Sequence, residues 1–279
     1  DVISVGTGNF GGVTITTDGI TLVAGSTPVL DGGEGVRETV RVEGASNVTL
    51  DGLVIMNTGG SGDSQESYGV RAVDGSDNFS IRNSIIIGIF EAARATGVAI
   101  DAAPGPIPDT NLSTPINNPD VFNCGIAGIS TDQDELPGDT DFSGESKAKG
   151  VGINGDVPNA SVRQTQIVDI GGAGTTKARG VSVTEDSDEI GATGFLLRAI
   201  EFGAVDSPEF GIQGTSGQPA VFVGGLANEH RGQIEQSNIR DPVDSGSVQF
   251  TGDGEGDRLT VDDNWWAVSR GRESTPEAS

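Results

Sequence analysis

The amino-acid sequence predicts an all-β fold: a right-handed parallel β-helix, a solenoid of about nine coils with three short strands in each. Three observations favour this fold: a motif that recurs along the chain, apolar residues spaced two apart within it, and an unusual composition. The 279 residues include 44 glycines, while 34% are hydrophobic and 5% aromatic. So low an apolar share could indicate disorder, but the apolar residues alternate in many short runs, which a disordered chain has no reason to do.

The recurring motif is a small residue followed by alternating apolar positions. Its nine starts lie 25 to 36 residues apart, and two further short apolar runs follow most of them. A period of nearly thirty residues with three short strands indicates one solenoid coil per repeat. The starts are Gly12, Thr39, Gly69, Gly97, Gly125, Gly150, Gly180, Gly211 and Ser247.

The apolar spacing within the motif is that of strands. Pairs such as Val13/Ile15, Val40/Val42 and Val181/Val183 are two residues apart, whereas an amphipathic helix needs spacings of three and four. Glycine, asparagine and aspartate between the runs suit tight or left-handed corners. A β-sandwich also turns at short intervals, but it does not explain one dominant period.

We interpret residues 1–268 as one parallel β-helix domain and residues 269–279 as a polar C-terminal tail. Five prolines between residues 104 and 119 exclude continuous central strands there. We therefore expect long surface loops within residues 101–149, in two successive coils, and loops are where function tends to reside.

The charge of the chain predicts its surroundings. The formal net charge is −25, lysine occurs only at Lys147, Lys149 and Lys177, and thirteen residues are arginine. At about 1 M salt the screening length falls to about 3 Å, so carboxylates on one surface scarcely repel each other. We expect a halophilic protein that is secreted, either extracellular or on the cell surface, and Asp1 as the start of a processed or trimmed chain. Nucleic acid and anionic membranes are excluded as partners by the negative field, and membrane insertion by the lack of a long apolar run.

Both ends of the sequence carry a resemblance. The opening Asp1-Val-Ile-Ser-Val-Gly-Thr-Gly-Asn-Phe and the closing Asp262-Asp-Asn-Trp-Trp resemble the first coils and the end motif of a secreted right-handed parallel β-helix repeat family. This family belongs to the pectate-lyase-like superfamily and is abundant among haloarchaeal surface proteins. The resemblance implies an archaeal β-helix related to carbohydrate-binding proteins and sugar hydrolases. Ala267 and Thr275 stand where the family has glycine, so no functional subgroup is implied.

Four sequons are candidates for N-glycosylation, at Asn47, Asn78, Asn111 and Asn159, and they favour a glycoprotein. The catalytic residues, if there are any, stay unknown, because clusters of acids arise readily as solvated surface in a chain with 41 acidic residues. His230 lacks the flanking glycines that the resemblance implies for a polygalacturonase-type site. We expect Cys124 to be a buried small hydrophobe.

We expect no cofactor, with Ca²⁺ as the alternative. The candidate metal ligands are Asp186, Asp188 and Glu189, since Ca²⁺ prefers carboxylate oxygens. Other clusters of the same kind are Asp132, Asp134 and Glu135, then Asp253, Glu255 and Asp257, and the glycine-rich segment 59–63.

The ends of a β-helix expose apolar side chains and unpaired backbone groups. We expect Trp265 and Trp266 to cap the C-terminal end, with a sugar-stacking platform as the alternative. At the other end Val2, Ile3, Ser4 and Val5 form the candidate assembly edge, where a second copy adds by strand pairing.

The leading functional hypothesis is a non-catalytic structural or adhesive protein, self-assembling through its ends into a filament or surface-layer-like array. The first alternative is a polysaccharide lyase or glycoside hydrolase that acts on an acidic polysaccharide. The second alternative is a passive carbohydrate-binding module, so a glycan is the expected partner besides a second copy of the chain.

Overall fold

The computed structural model of the chain is a right-handed parallel β-helix, which confirms the predicted fold class. The structure describes residues 1–33, 35–57, 66–91, 93–102, 114–131, 147–171 and 177–184, and from residue 195 onward the strands. Within these residues every strand pairing is parallel, and no helix occurs. No helix of the described part is long and apolar enough to cross a membrane.

The strands, numbered in chain order, form three sheets of nine, nine and eight strands. Sheet A contains β1 (Val2–Val5), β4 (Thr21–Ala24), β7 (Thr49–Asp51), β10 (Ser80–Arg82), β13 (Asp120–Phe122), β16 (Ser161–Arg163), β19 (Phe195–Arg198), β22 (Arg231–Glu235) and β25 (Arg258–Asp262). Sheet B contains β2 (Gly8–Phe10), β5 (Pro28–Asp31), β8 (Val54–Asn57), β11 (Ile85–Glu91), β14 (Gly125–Thr131), β17 (Gln166–Ile170), β20 (Glu201–Gly203), β23 (Asn238–Arg240) and β26 (Trp265–Ala267). Sheet C contains β3 (Val13–Ile15), β6 (Glu38–Glu43), β9 (Glu66–Val73), β12 (Arg94–Asp101), β15 (Lys147–Asn154), β18 (Lys177–Thr184), β21 (Val221–Gly224) and β24 (Val248–Thr251).

The core is a column of aliphatic side chains stacked in register. In sheet A, Leu50, Ile81 and Val121 follow one another on paired strands, and all three are fully buried. In sheet C the predicted alternation is confirmed, because Val181 and Val183 both face the core. Each fully buried aliphatic side chain contributes about 1.5–3 kcal/mol relative to exposure, so the stack stabilises every coil against its neighbours.

The glycine of the recurring motif is required by close packing. A Cβ atom on Gly97 would lie 2.7 Å from the carbonyl oxygen of Gly150 and 2.8 Å from Cγ2 of Ile126. A Cβ atom on Gly150 would meet the carbonyl oxygen of Gly180 at 2.6 Å. Sheets B and C therefore approach each other at this row, where a larger residue has no room.

Asparagines occupy the corner that leads into sheet A. Asn47, Asn78, Asn118 and Asn159 have positive φ angles of 59°, 54°, 53° and 58°, a conformation that asparagine tolerates better than most residues. Their side chains form a ladder: Nδ2 of each of the last three donates to Oδ1 of the asparagine in the preceding coil, at 3.2, 3.1 and 3.0 Å. The predicted use of asparagine at corners is thus observed, with a side-chain ladder along the axis.

Two details of the predicted repeat are corrected by the register. Gly125 does not start a coil, because it lies on β14 in sheet B and pairs with Ile85. In sheet C, Val98 pairs directly with Val151, 53 residues later, so residues 101–149 belong to one coil and not to two. The predicted start at Gly211 lies outside the described residues, and Val181 pairs with Val221.

The predicted long loops within 101–149 overlap residues 103–113 and 132–146, which are outside the described part of the chain, as is the tail 269–279. Residues 114–131 between those segments contain β13 and β14. The extent of the loops and of the domain stays a prediction.

Candidate functional site

The outer face of sheet C carries two neighbouring groups of charged side chains. The first group, the arginine–carboxylate network, consists of Arg37, Glu38, Arg41, Glu66, Tyr68, Arg71 and Asp101. The second group, the basic strip, consists of Arg94, Lys147, Lys149 and Arg179 on β12, β15 and β18. Contacts join the two groups on one face, because Arg94 of the strip donates to Glu66 of the network at 2.9 Å.

Arg71 lies at the centre of the network. Its Nη1 donates to Glu38 Oε1 at 3.1 Å and its Nη2 donates to Asp101 Oδ2 at 2.6 Å. The guanidinium carbon lies 4.8 Å from the centroid of the Tyr68 ring, within cation–π range. Burial alone would lower the pKa of Arg71, but Tyr68, Asp101 and Glu38 more than offset burial, and the pKa lies above its ordinary value. Arg71 is therefore a permanent, well-anchored cation.

Glu66 contacts two arginines from the neighbouring coils and Tyr68 of its own strand. It accepts hydrogen bonds from Arg37, from Arg94 Nη1 at 2.9 Å, and from the hydroxyl of Tyr68 at 3.2 Å. Burial alone would raise the pKa of Glu66, but the two arginines and the tyrosine hydroxyl lower it overall. Burial raises the pKa of Tyr68 to about 12. Glu66 thus stays charged and Tyr68 stays protonated at ordinary pH.

These protonation states limit what the network can do chemically. A general acid is expected to be a carboxyl whose pKa is raised toward the working pH, whereas the pKa of Glu66 is lowered. The carboxyls with a raised pKa in the described part are Asp156 and Asp169, where burial is the cause. Neither belongs to sheet C. The geometry of the network is that of an ionic clamp between coils.

The basic strip is a concentration of positive charge on a strongly acidic chain. Arg94, Lys147 and Lys177 occupy consecutive positions in one row, and Lys149 pairs with Arg179 in the next row. Strands β15 and β18 contain all three lysines of the chain and no acidic residue. Paired strands are about 4.8 Å apart, so the cations recur at that interval along the axis. Such a row can contact successive carboxylates or sulfates of an extended polyanion.

The outer faces of the other two sheets differ from this pattern. In sheet A, Arg82 Nε donates to Asp51 at 3.0 Å and Arg163 binds both oxygens of Asp120 at 3.0 and 2.7 Å, so each arginine is matched by an acid on the preceding strand. Sheet B presents Ile85, which is half exposed. In sheet C, the adjacent strands β15 and β18 carry two cations each and no acid.

The structure describes part of the predicted site residues. Trp265 and Trp266 form β26, the last strand of sheet B, and Val2, Ile3, Ser4 and Val5 form β1, an edge strand of sheet A with Val2 73% exposed. Cys124 is buried, as expected. The remaining predicted residues lie outside the described part: Asn111, Asp186, Asp188, Glu189, His230, the segment 59–63 and the other acidic clusters. No group of three metal-ligating side chains occurs in the described residues.

The sequence contains a signal for the basic strip that the predictions did not use. The motif start is preceded by the same pattern three times, as Arg94-Ala-Thr-Gly97, Lys147-Ala-Lys-Gly150 and Lys177-Ala-Arg-Gly180. Because the glycines stack on one another, the cation three residues earlier must recur in the same row. This spacing in the sequence indicates a row of cations on neighbouring strands of sheet C.

The sequence matches no protein-family model and no curated protein. Among solved structures, the chain is similar to Escherichia coli YbhC, with 15% identity and a TM-score of 0.55 over 95% of this chain and 76% of that one. It is also similar to a pectin methylesterase from Aspergillus niger, with 11% identity and a TM-score of 0.48 over the same shares of both chains. The A-module of the Azotobacter vinelandii mannuronan C-5 epimerase AlgE4 gives 13% identity and a TM-score of 0.32 over 95% of this chain and 86% of that one. At 15% identity the likeness to YbhC, a pectate-lyase-like parallel β-helix protein, concerns the fold.

Proposed function

We propose that this chain is a non-catalytic extracellular or cell-surface protein of a halophile that adheres to acidic polysaccharide through the basic strip. The observation that carries the proposal is the basic strip of Arg94, Lys147, Lys149 and Arg179 on a chain of net charge −25. Strands β15 and β18 are adjacent, and each carries two cations and no acid. A neutral glycan would gain nothing from this arrangement, whereas a polyuronate or a sulfated polymer would.

High salt is compatible with this mode of binding. At about 1 M salt the screening length is about 3 Å, so the repulsion between a polyanion and the rest of the acidic surface disappears. Hydrogen-bonded pairs in direct contact persist, because charge-assisted bonds act at about 2.7–2.9 Å. In high salt a basic strip can therefore bind a polyanion by direct contact, because the acidic remainder of the surface no longer repels the ligand.

The non-catalytic part of the proposal rests on the network beside the strip. Glu38, Glu66 and Asp101 all accept hydrogen bonds from arginines, and Tyr68 has a pKa of about 12. The second candidate is an enzyme acting on acidic polysaccharide. The arginine–carboxylate network favours it, because a phenol, two guanidinium groups and carboxylates converge there. Absorbance of unsaturated uronate ends and a reducing-sugar assay on polygalacturonate and alginate distinguish the two. Turnover that is lost in Tyr68→Phe would replace our proposal by the enzyme.

The binding experiment uses calorimetry with polygalacturonate in molar salt and compares two matched variants. Lys147→Gln with Lys149→Gln removes two charges from the strip, and we expect affinity to fall about tenfold, or about 1.4 kcal/mol. Arg82→Gln with Arg163→Gln removes the same charge from sheet A and should leave affinity within about twofold. Equal losses in both variants, or unchanged affinity in the first, would refute the role of the strip.

Self-association through the ends of the β-helix is a further part of the proposal. Strands β1, β2 and β3 are edge strands of the three sheets. Val2 and Ile3 on β1 and Phe10 on β2 are exposed large hydrophobic residues. Edge strands with exposed apolar side chains favour strand addition by another chain. We propose no bound cofactor; Ca²⁺ at Asp186, Asp188 and Glu189 is the alternative.

A further inference from the structure

The three described sequons differ in whether their acceptor groups are free. N-glycosylation joins Nδ2 of the asparagine to the anomeric carbon of a lipid-phosphate-linked oligosaccharide; the nitrogen loses a proton and the lipid phosphate leaves. The transferase must take the side-chain amide out of its own contacts, and the hydroxyl of the residue two positions later is also recognised. The hydrogen bonds of these two groups in the folded chain therefore control access.

The amide of Asn159 is held in the ladder. Its Nδ2 donates to Asn118 Oδ1 at 3.0 Å. The hydroxyl of its sequon, on Ser161, donates to Oδ1 of Asp120, which also binds Arg163. Both groups that a transferase needs are thus already engaged.

Asn78 is held on both sides. Its Nδ2 donates to Asn47 Oδ1 at 3.2 Å and its Oδ1 accepts from Asn118 at 3.1 Å. Its backbone N–H also donates to the carbonyl of Asn117 at 2.7 Å. Removing this side chain from the ladder breaks both of its side-chain bonds.

Asn47 is the first member of the ladder, and its amide nitrogen is free. The preceding coil has Gly19 at the same corner, with a positive φ of 68° and its N–H donating to the carbonyl of Ser46. A glycine offers no side-chain oxygen, so Asn47 Nδ2 has no hydrogen-bond acceptor among the described residues. The hydroxyl of Thr49, the third residue of this sequon, also makes no hydrogen bond there, and Asn47 is exposed.

We propose that Asn47 is the glycosylation site of the folded chain among the described sequons, and that the asparagine ladder protects Asn78 and Asn159. Each hydrogen bond that must open lowers the fraction of accessible side chains by about two- to tenfold. We expect occupancy at Asn47 to exceed that at both Asn78 and Asn159, each of which has two such bonds to open. The inference is independent of the basic strip. It concerns a glycan attached covalently to asparagine, whereas the strip is proposed to bind a polysaccharide without a covalent bond.

The test uses the purified full chain, a lipid-linked oligosaccharide and an oligosaccharyltransferase that accepts the simple Asn-X-Ser/Thr sequon. Site occupancy is measured by glycopeptide mass spectrometry on the folded chain and on the urea-unfolded chain, with an acceptor peptide in the same tube. In the folded chain we expect occupancy at Asn47 to exceed occupancy at Asn78 and at Asn159 by about two- to tenfold each, while unfolding makes the three comparable. Equal occupancy at the three sites of the folded chain, or an unmodified Asn47 beside a modified peptide, would overturn the proposal.

A matched variant tests the ladder itself. Asn118→Gly keeps the left-handed corner at no steric cost, as Gly19 does in the first coil, and removes the acceptor of Asn159 Nδ2. We expect occupancy at Asn159 to rise about two- to tenfold while occupancy at Asn47 is unchanged. Circular dichroism establishes that the variant is folded. A folded variant with no rise at Asn159 would refute protection by the ladder; an unfolded variant leaves the wild-type comparison of folded and unfolded chains to decide.

Discussion

Replacing Gly97 with alanine tests the close approach of sheets B and C. The new Cβ would lie 2.7 Å from the carbonyl oxygen of Gly150 and 2.8 Å from Cγ2 of Ile126. Both distances are shorter than the 3.0 Å below which Cβ atoms in folded proteins essentially never approach a neighbouring atom. One of these atoms is backbone on a paired strand, so relief requires β12 or β15 to move. Overpacking of this kind costs about 1–3 kcal/mol. For a chain of this size that corresponds to a decrease in Tm of about 2–4 °C per kcal/mol.

Gly125 provides the matched control for this substitution. It is also followed by alternating apolar residues, but a Cβ there would meet no atom within 4 Å and its φ is not positive. Gly125→Ala should therefore be neutral or stabilise by up to about 1 kcal/mol, since alanine restricts the unfolded chain. Thermal and urea unfolding in molar salt measure both variants. Equal destabilisation of the two, or an unaffected Gly97→Ala, would show that the assignment of the motif glycines to the packed row is wrong.

Four other predictions follow from the same structure. Val183→Asp should lower the free energy of unfolding by several kcal/mol, because Val183 is buried. Ile87→Asp, on the exposed face of sheet B, should change the free energy of unfolding little. Similar thermal melts of the two variants would contradict the register. Glu66 has a lowered pKa when folded, so its ion pairs stabilise the fold above its unfolded pKa, near 4.5, and this contribution is lost as the pH falls through the folded value. Acid unfolding of Glu66→Gln should accordingly be less steep than that of the wild type, and identical pH profiles would refute the coupling. The β signal in circular dichroism should be lost at about 0.01 M salt, where the screening length reaches about 30 Å, and an unchanged spectrum would contradict halophilic adaptation. Ile3→Lys should reduce the particle mass in light scattering at high salt if a second copy adds at β1, and a monomeric wild type would remove that proposal.

The fold could be predicted because its signal is local. A spacing of two, as at Val181 and Val183, is visible within five residues and survives any error in long-range pairing. The corner asparagines follow from the tolerance of Asn for positive φ, which is also a property of single residues. Each coil repeats these signals, so one misread coil does not change the fold class.

The pairing between coils could not be read so directly. Gly125 and the residues after it alternate as the true motif starts do, yet they lie on β14 in a different sheet. The interval from Val98 to Val151 is 53 residues, nearly twice the usual period, and the prediction divided it into two coils. Register depends on packing between strands that are distant in sequence, and the local pattern does not contain that information.

The basic strip illustrates how a solenoid conceals its site in the linear sequence. Lys147 and Lys177 are 30 residues apart in the chain but adjacent in the row, and Arg94 precedes Lys147 by 53 residues. One coil earlier the same row holds Glu66, which is engaged by Arg37 and Arg94. The row therefore holds a carboxylate already paired with arginines at β9 and cations from β12 onward, so an anionic ligand gains its contacts on the side of β15.

This arrangement limits the length of ligand that the strip can recognise. From β12 to β18 there are two strand intervals, or about 10 Å along the axis, which matches two or three sugar units of an extended chain. In competition with the polymer, a uronate trimer should then have nearly the same affinity per binding site as longer oligomers. A uronate monomer should compete poorly. If affinity instead rose steadily with oligomer length up to long oligomers, the binding surface would have to continue beyond β18. The strip as defined would then not be the whole binding surface.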